Sequence, residues 1–369
     1  MAFLKIILIL VYIFLIFRNY NSYKAGIAPN FLIIFTTILL IFLLCSSNLA
    51  FSDWSDTSLD ISGYRTVYEK YDVLEHPDFM MYYIFYSCMY IGQYFGLSYG
   101  LWWTIMSVLA MSVIIISCRV HHYSLPIFFG SFMMYHVFVM YSGLKFFYGF
   151  CFLFLAYGFF IKSTLKGRIL FAIFTCVAGG LHTMYYFFLL LLLNPPKGSK
   201  YFVNSIIAVT FVFTLLMRVS GSAVSFLTPF FATLDNDHID IYTKYTVNFG
   251  FYIALALHFI VVYLVYRVRK FKVLTNSCTP EVDALYYSTI VSLIFCPFYA
   301  LALTFMRLIT AFSLVVIIAG SGFMNESYKS RKEIVKLSLL VVGAFILMKL
   351  ITGAESFIQM SVLPFFDVL

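Results

Sequence analysis

The sequence is a succession of long apolar stretches, each nearly free of charge and about as long as a helix that crosses a lipid bilayer. Such a helix needs about 20 apolar residues. A membrane-spanning strand would alternate apolar and polar residues over roughly ten positions, and these stretches do not alternate. We therefore predict an all-α, polytopic integral membrane protein with about 10–12 transmembrane helices, including re-entrant or broken helices. The stretches are Ala2–Phe17, Pro29–Ala50, Gly100–Ser117, Ser124–Tyr141, Leu144–Ile161, Ile169–Leu193, Tyr201–Met217, Val247–Tyr266, Ala284–Tyr299, Leu303–Phe323 and Val335–Ile351.

Composition excludes several other classes of protein. Only 11% of the residues are charged, whereas roughly a quarter of a soluble chain is charged. The net charge of +8 lies in short basic runs between apolar stretches, as in cytoplasmic loops, so we expect the lipid bilayer and no nucleic acid as a partner. The seven cysteines show no metal-ligand spacing, and nucleotide-binding and zinc-protease motifs are absent, so we expect neither a metal nor a cofactor. No linker or repeat divides the chain, which predicts a single transmembrane domain over residues 1–369.

The charges also predict which loops face which side of the membrane. Acidic residues concentrate in two loops, at about 51–78 and 220–246, which we assign to the outside, and the basic runs are assigned to the cytoplasm. The chain can place every loop on its assigned side of the membrane if two conditions hold. Residues 79–95 form an interfacial or re-entrant helix, and residues 169–193 enter the membrane and return. Gly179-Gly180 lies in the middle of the second segment, where a helix is easily broken. The alternative is one ordinary span over residues 169–193.

Among the ionisable residues at or inside apolar stretches, where charge is costly and a functional role is the first hypothesis, three are singled out. Lys145 falls on the predicted outer side, against the charge bias, and is either a site residue or a lysine that extends to the interface. Arg307 offers a planar, permanent charge for phosphate oxygens, or an ion pair with a loop carboxylate. His182 can act as a base near neutral pH or pack as an ordinary core histidine.

The first acidic loop carries a face of mixed acidic and aromatic character. At helical spacing, Asp60, Tyr64 and Tyr68 fall on one side. Carboxylates and aromatic rings suit the hydroxyls and ring faces of sugars, although an ordinary solvated extracellular loop has the same composition.

The order of these features resembles the EpsG family, a Wzy-like group of bacterial membrane proteins that polymerise exopolysaccharide or capsule repeat units. In the family, Arg-Gln occupies the place of Leu144-Lys145, and an early arginine is expected near residues 48–51, where this sequence has none. Arg65 is a candidate substitute. The resemblance is carried by Asp60-x-x-x-Tyr64-x-x-x-Tyr68, Leu144-Lys145-Phe146, Val177-Ala178-Gly179-Gly180-Leu181-His182 and Phe305-Met306-Arg307-Leu308.

The resemblance implies a glycosyltransferase that acts at the outer face of the bacterial cytoplasmic membrane on a polyprenyl-pyrophosphate-linked oligosaccharide. A chain-length regulator is a further expected partner. A flippase for the same lipid-linked oligosaccharide and an acyltransferase that modifies polysaccharide are the alternative functions. The implied site residues are Arg307, Lys145 and Arg65 for the pyrophosphate, His182 and Asp60 for the proton of the acceptor hydroxyl, and Tyr64 and Tyr68 for the glycan.

Overall fold

The computed structural model of the chain describes residues 60–123, 143–194, 200–219, 248–300 and 305–323, together with Gly343. Within these ranges all regular structure is helical, which confirms the all-α prediction. The helical stretches there that are long and apolar enough to cross a membrane are Tyr99–Val120, Phe251–Leu274 and Pro280–Tyr299. The predicted spans Ala2–Phe17, Pro29–Ala50 and Ser124–Tyr141, nearly all of Val335–Ile351 and the loop 220–246 lie outside the described residues.

The described elements follow the predicted stretches closely. Three 3₁₀ segments, Val73–Glu75, Thr183–Leu193 and Ser292–Ala300, lie between the α-helices. The α-helices are α1 Asp60–Lys70, α2 Tyr83–Tyr94, α3 Tyr99–Val120, α4 Leu144–Phe160, α5 Leu165–Leu181, α6 Lys200–Val219, α7 Asn248–Leu274, α8 Pro280–Val291 and α9 Met306–Phe323.

Local signals explain where several of these helices begin. The Ser98 hydroxyl accepts a hydrogen bond from the Leu101 N–H at the start of α3, and the Thr164 hydroxyl accepts from the Gly167 N–H at the start of α5. Such caps satisfy backbone donors that have no partner inside the helix. Pro280 begins α8, where its missing N–H is harmless.

The stretch 169–193 enters the bundle and returns. α5 runs inward, His182 takes an extended conformation (φ −153°, ψ 114°), and the 3₁₀ segment Thr183–Leu193, the returning arm, runs back. Arg168 donates hydrogen bonds to the carbonyls of Leu192 (3.4 Å) and Asn194 (2.7 Å). Because the beginning and the end of the stretch meet, the structure has the hairpin and not the single span, and the break falls at His182, just after Gly179-Gly180.

The bundle has a basic end, formed by the loop that joins α4 to α5 and by the end of α7. Lys162 lies in this loop and Lys166 in the first turn of α5, and near the end of α7 Arg269 donates from Nε to Asp283 Oδ1 at 2.6 Å. The Asn194 amide donates to the Ala284 carbonyl (3.5 Å), which brings the base of the hairpin to the same end. The 17 residues of α4 rise about 26 Å, so Lys145, near its start, lies at the opposite end of the bundle.

A short cap of helices covers that opposite end. α2 has 12 residues and rises about 18 Å, so it is too short to cross a hydrocarbon core of about 30 Å by itself, as expected for residues 79–95. The Gln93 amide donates to the carbonyls of Tyr68 (2.6 Å) and Tyr71 (3.1 Å), and Trp102 Nε1 donates to the Cys88 carbonyl at 2.8 Å. These bonds join α1, α2 and α3.

A polar network lies inside the other half of the bundle. His258 in α7 is fully buried, with Nδ1 2.8 Å from the Tyr299 hydroxyl and Nε2 2.8 Å from the Ser292 hydroxyl. The Ser292 hydroxyl also donates to the Thr289 carbonyl at 2.7 Å. Both ring nitrogens are therefore occupied, and the network fixes α7 against the 3₁₀ segment Ser292–Ala300.

Candidate functional site

Lys145 is enclosed by aromatic rings beneath the cap. Its ammonium nitrogen lies 3.7 Å from the centre of the Tyr82 ring, 5.0 Å from Tyr64, 5.4 Å from Tyr86 and 5.8 Å from Phe85. We call these four rings the aromatic cage. Only 9% of Lys145 is exposed, so it does not extend into the interface as a snorkelling lysine would. Ring faces attract a cation most strongly where water is excluded, and the charge is thereby held inside the protein.

His182 lies at the tip of the hairpin and is buried, with 8% of the residue exposed. Its ring centre is 5.7 Å from that of Tyr82 and 5.6 Å from that of Phe146. Its Nδ1 accepts a hydrogen bond of 3.3 Å from the Met184 N–H and so caps the returning arm. The break that ends α5 therefore positions this imidazole.

Arg307 belongs to the first turn of α9 and is exposed. Its guanidinium carbon lies 5.8 Å from the centre of the Phe146 ring. Among the described residues no carboxylate forms an ion pair with it, which leaves the alternative of a structural ion pair unsupported there. The unsatisfied N–H groups at the start of α9 add positive potential at the same place.

The three residues converge although the sequence separates them widely. Tyr82 contacts both Lys145 and His182, and Phe146 contacts both His182 and Arg307. The charges of Arg307 and Lys145 both act on the His182 ring. We call Lys145, His182 and Arg307 the cationic cluster.

The first acidic loop contributes two residues to the rim of this cluster. The His76 ring stacks on Tyr86 with 4.8 Å between ring centres, and its Nδ1 accepts a hydrogen bond of 3.2 Å from the Asp78 N–H. Burial lowers the pKa of His76, the Asp78 carboxylate opposes that effect, and the Lys145 charge adds to it. The Asp78 charge also acts on Tyr86. An acid and a second histidine thus lie beside the cage.

The predicted residues of α1 divide into two groups. Tyr64 lines the aromatic cage, whereas Arg65 faces outward and donates from Nε to Glu69 Oε1 at 2.9 Å. Tyr68 is 5% exposed, and its hydroxyl donates to the Leu97 carbonyl at 2.9 Å. The structure therefore gives Arg65 an exposed ion pair and Tyr68 a packing position, and neither belongs to the cluster. Asp60 begins α1, and its role as a proton acceptor stays a prediction.

Several residues of the site were not anticipated from the sequence, namely Tyr82, Tyr86, Phe146, His76 and Asp78. With 44 phenylalanines and 29 tyrosines in the chain, no single ring stands out by type. One signal was available: Phe146 follows Lys145 directly. Among the described residues no group of three or more His, Cys, Asp or Glu is arranged to hold a metal ion.

The arrangement is suited to binding a strongly anionic group. An arginine, a lysine and a histidine surround an apolar, aromatic interior, where electrostatic interactions are stronger than in water. Donors fixed in such a place stabilise negative charge that develops on a leaving group. The exposed guanidinium of Arg307 gives a ligand a first point of contact, and the buried Lys145 and His182 lie behind it.

One comparison with known proteins identifies a family that this chain matches. A family model, that of the EpsG family, matches residues 50–366, which is most of the chain. No curated protein and no solved structure matches.

Proposed function

The chain belongs to the EpsG family and is an exopolysaccharide-related membrane protein, and on this premise we propose that it polymerises polyprenyl-pyrophosphate-linked oligosaccharide repeat units. The product is exopolysaccharide or capsule. The reaction takes place at the outer face of the bacterial cytoplasmic membrane, where the growing chain and the next repeat unit are both anchored by lipid.

The observation that carries the proposal is the convergence of the cationic cluster. Lys145 comes from the start of α4, His182 from the tip of the hairpin and Arg307 from the first turn of α9. Burying the charge of Lys145 without need is unfavourable. Because an arginine and a histidine from two other elements meet it there, the arrangement favours an anionic substrate over a structural role. A pyrophosphate at the membrane surface has the required charge and location.

The reaction needs the protein to stabilise the charge of the leaving group and to accept a proton. The acceptor hydroxyl oxygen bonds to the anomeric carbon of the donor sugar, and the bond from that carbon to pyrophosphate breaks with its electron pair on the phosphate oxygen. Arg307 and Lys145 stabilise the charge that develops there. A base takes the acceptor proton, and Tyr64 in the cage offers a ring face to sugar. Holding both lipid-linked reactants at one interface contributes through proximity.

The position of the cluster supports an outer-face reaction. Lys145 and Arg307 lie at the end of the bundle opposite Lys162 and Lys166. Basic loops favour the cytoplasmic side. The cluster then faces the outer leaflet, beneath the acidic outer loop.

The proposal is tested in a strain that lacks the protein, by extracting lipid-linked glycans and sizing the surface polysaccharide. We expect single repeat units to accumulate on lipid, and wild-type protein to restore long polymer. Arg307→Ala, at equal expression, is expected to lower the polymerisation rate about 10²- to 10³-fold, because removing one donor from a site of this kind has that effect. Arg307→Lys is expected to retain part of the activity.

The matched control is Arg267→Ala, which removes an arginine on α7 that is hydrogen-bonded to the Tyr263 hydroxyl and is expected to leave polymer length unchanged. Unchanged polymer length with altered acylation in the deletion strain would indicate the acyltransferase. Repeat units trapped on the cytoplasmic face would indicate the flippase.

A further inference from the structure

The hydrogen bond that caps the returning arm fixes the protonation of His182. The Met184 N–H donates to Nδ1 at 3.3 Å, and a ring nitrogen can accept only if it carries no proton. An imidazolium has protons on both nitrogens and cannot accept, so the ring in this structure is neutral. Its single proton is therefore on Nε2.

The opposite tautomer would disturb the hairpin itself. With the proton on Nδ1, that N–H and the Met184 N–H would face one another at the start of the returning arm, and the hydrogen bond between them would be lost. The geometry of the hairpin thus selects the tautomer in which Nε2 is a donor.

A histidine that acts as a general base is held in the reverse way. Its remote ring nitrogen donates to a carboxylate or carbonyl, which leaves the working nitrogen unprotonated and ready to accept. In His182 the remote nitrogen accepts from a backbone N–H instead. The charges that act on the ring belong to Arg307 and Lys145, and neither is an acid that could orient it as a base.

We propose that His182 is a hydrogen-bond donor to the departing pyrophosphate, through Nε2–H, and that Asp78 takes the proton of the acceptor hydroxyl. The inference rests on the proposed function and decides which residue does what within it. Lys145, Arg307 and His182 then form a subsite made only of donors. The proton moves from the acceptor oxygen to the Asp78 carboxylate while that oxygen bonds to the anomeric carbon, and the electron pair of the broken bond leaves with the pyrophosphate.

Asp78 is assigned the proton because of its place at the rim. Its charge reaches His76 and Tyr86, and Tyr86 is one of the four cage rings. The backbone carbonyl of Asp78 accepts hydrogen bonds from the N–H groups of Met81 (3.0 Å) and Tyr82 (3.1 Å), which tie the residue to the segment that carries Tyr82. The carboxylate therefore lies beside the cage, whose Tyr64 ring we place against the sugar.

The test compares His182→Gln, His182→Asn and His182→Ala in purified protein in lipid vesicles. Glutamine offers an N–H close to the place of Nε2 but cannot take a proton, and asparagine can keep the cap but withdraws the donor. We measure the rate of polymer formation from lipid-linked repeat units and the binding of undecaprenyl pyrophosphate. We expect His182→Gln to stay within about tenfold of wild type in both, since one donor is roughly preserved.

The other two histidine variants are expected to lose about 10²-fold or more in rate. Thermal stability of each variant separates misfolding from a lost donor, and His182→Asn is expected to unfold close to wild type. His182→Gln that performs no better than His182→Ala would overturn the donor role. So would a His182→Gln variant that binds undecaprenyl pyrophosphate as wild type does but forms no polymer, because that pattern is expected of a lost base.

The second half of the proposal is tested with Asp78→Asn. We expect the rate of polymer formation to fall 10²- to 10⁴-fold, the usual contribution of a general base, with undecaprenyl pyrophosphate binding unchanged. Full polymer formation by Asp78→Asn would exclude it as the base. Wild-type protein that forms no polymer contradicts the proposed function instead, and the binding series still tests the donor role of His182.

Discussion

Two tyrosines show how much position decides the role of a residue in this protein. The Tyr68 hydroxyl is bonded to the Leu97 carbonyl, and burial raises the pKa of Tyr68 to about 12, so the phenol stays a neutral donor. Tyr82 turns its ring to the Lys145 ammonium and to His182. The first residue holds the cap together, while the second joins two members of the cationic cluster.

The lowered pKa of His76 predicts how the stability of the protein changes with pH. Burial and the Lys145 charge lower its pKa in the folded protein from 6.5, its ordinary value, although Asp78 partly opposes them. At a pH above 6.5 the ring is neutral in both states. Below that value the unfolded chain binds a proton more readily, so the contribution of His76 to the free energy of unfolding decreases as the pH falls.

We expect wild-type protein in vesicles to lose thermal stability as the pH falls below about 6.5, and we expect His76→Gln to lose less over the same pH range. The measurement is a thermal unfolding series across this range. Identical pH dependence of the two proteins would show that His76 does not control this loss.

The hairpin is the element that builds the site, and two glycines permit it. A side chain at Gly179 would collide with the ring of Tyr186 in the returning arm, and one at Gly180 would meet Ile84 of α2. The returning arm is an unusually long 3₁₀ segment of 11 residues, since such runs rarely exceed four. Interrupted helices at membrane depth are tolerated where protein or a cavity surrounds them, and here the interruption places His182 in the cluster.

Gly179→Ala is therefore expected to separate the two arms of the hairpin. Overpacking of this kind costs about 1–3 kcal/mol, and we expect lower thermal stability together with lower polymerisation. The matched control is Gly63→Ala in α1, where an added Cβ has nothing within 4 Å; in a helix this change is expected to be neutral or to stabilise by about 0.5–1 kcal/mol. Equal stability of Gly179→Ala and wild type would show that the arms are not closely packed in solution.

The hairpin could be predicted from the sequence only in part. The basic residues at both ends of the stretch 169–193 and its glycine pair raised an interruption as one of two alternatives beside a single span, and the structure contains the interruption. The choice of His182 as the break depends on the cap from Met184 and on Tyr186 packing over Gly179. These are tertiary contacts, and no local propensity indicates them.

At the scale of the whole molecule, the described helices outside the cap run between a basic end and a cluster end. This arrangement predicts the sidedness of single cysteines placed in a variant without native cysteines. We expect Glu69→Cys in α1 to react with a membrane-impermeant maleimide in intact cells. Lys166→Cys, and Lys197→Cys just beyond the returning arm, are expected to react only after permeabilisation. Labelling of Lys197→Cys in intact cells would contradict the hairpin.

The candidate site was visible in the sequence where charge stood out against an apolar background. Lys145, His182 and Arg307 were found in that way, because a charge or imidazole within an apolar stretch is rare. Tyr82 and Phe146, which connect them, were not, because rings are common throughout this chain. His258 in α7 also lies within an apolar stretch, but no glycine pair stands beside it as beside His182, and it was missed. Its partners Tyr299 and Ser292 come from a distant segment.

The hydrogen bond from Arg168 to the Asn194 carbonyl, which closes the hairpin, also affects the direction in which every later helix runs. In a hairpin the chain runs inward and then back to the side from which it started. Every later element therefore keeps the orientation that it would have without the hairpin. With a single span in its place, α6, α7, α8 and α9 would all be inverted. Arg307 would then begin α9 on the side opposite Lys145. Tyr82 and Phe146 could not then connect both cations to the same histidine. The meeting of the site residues and the turn at His182 are therefore one topological fact.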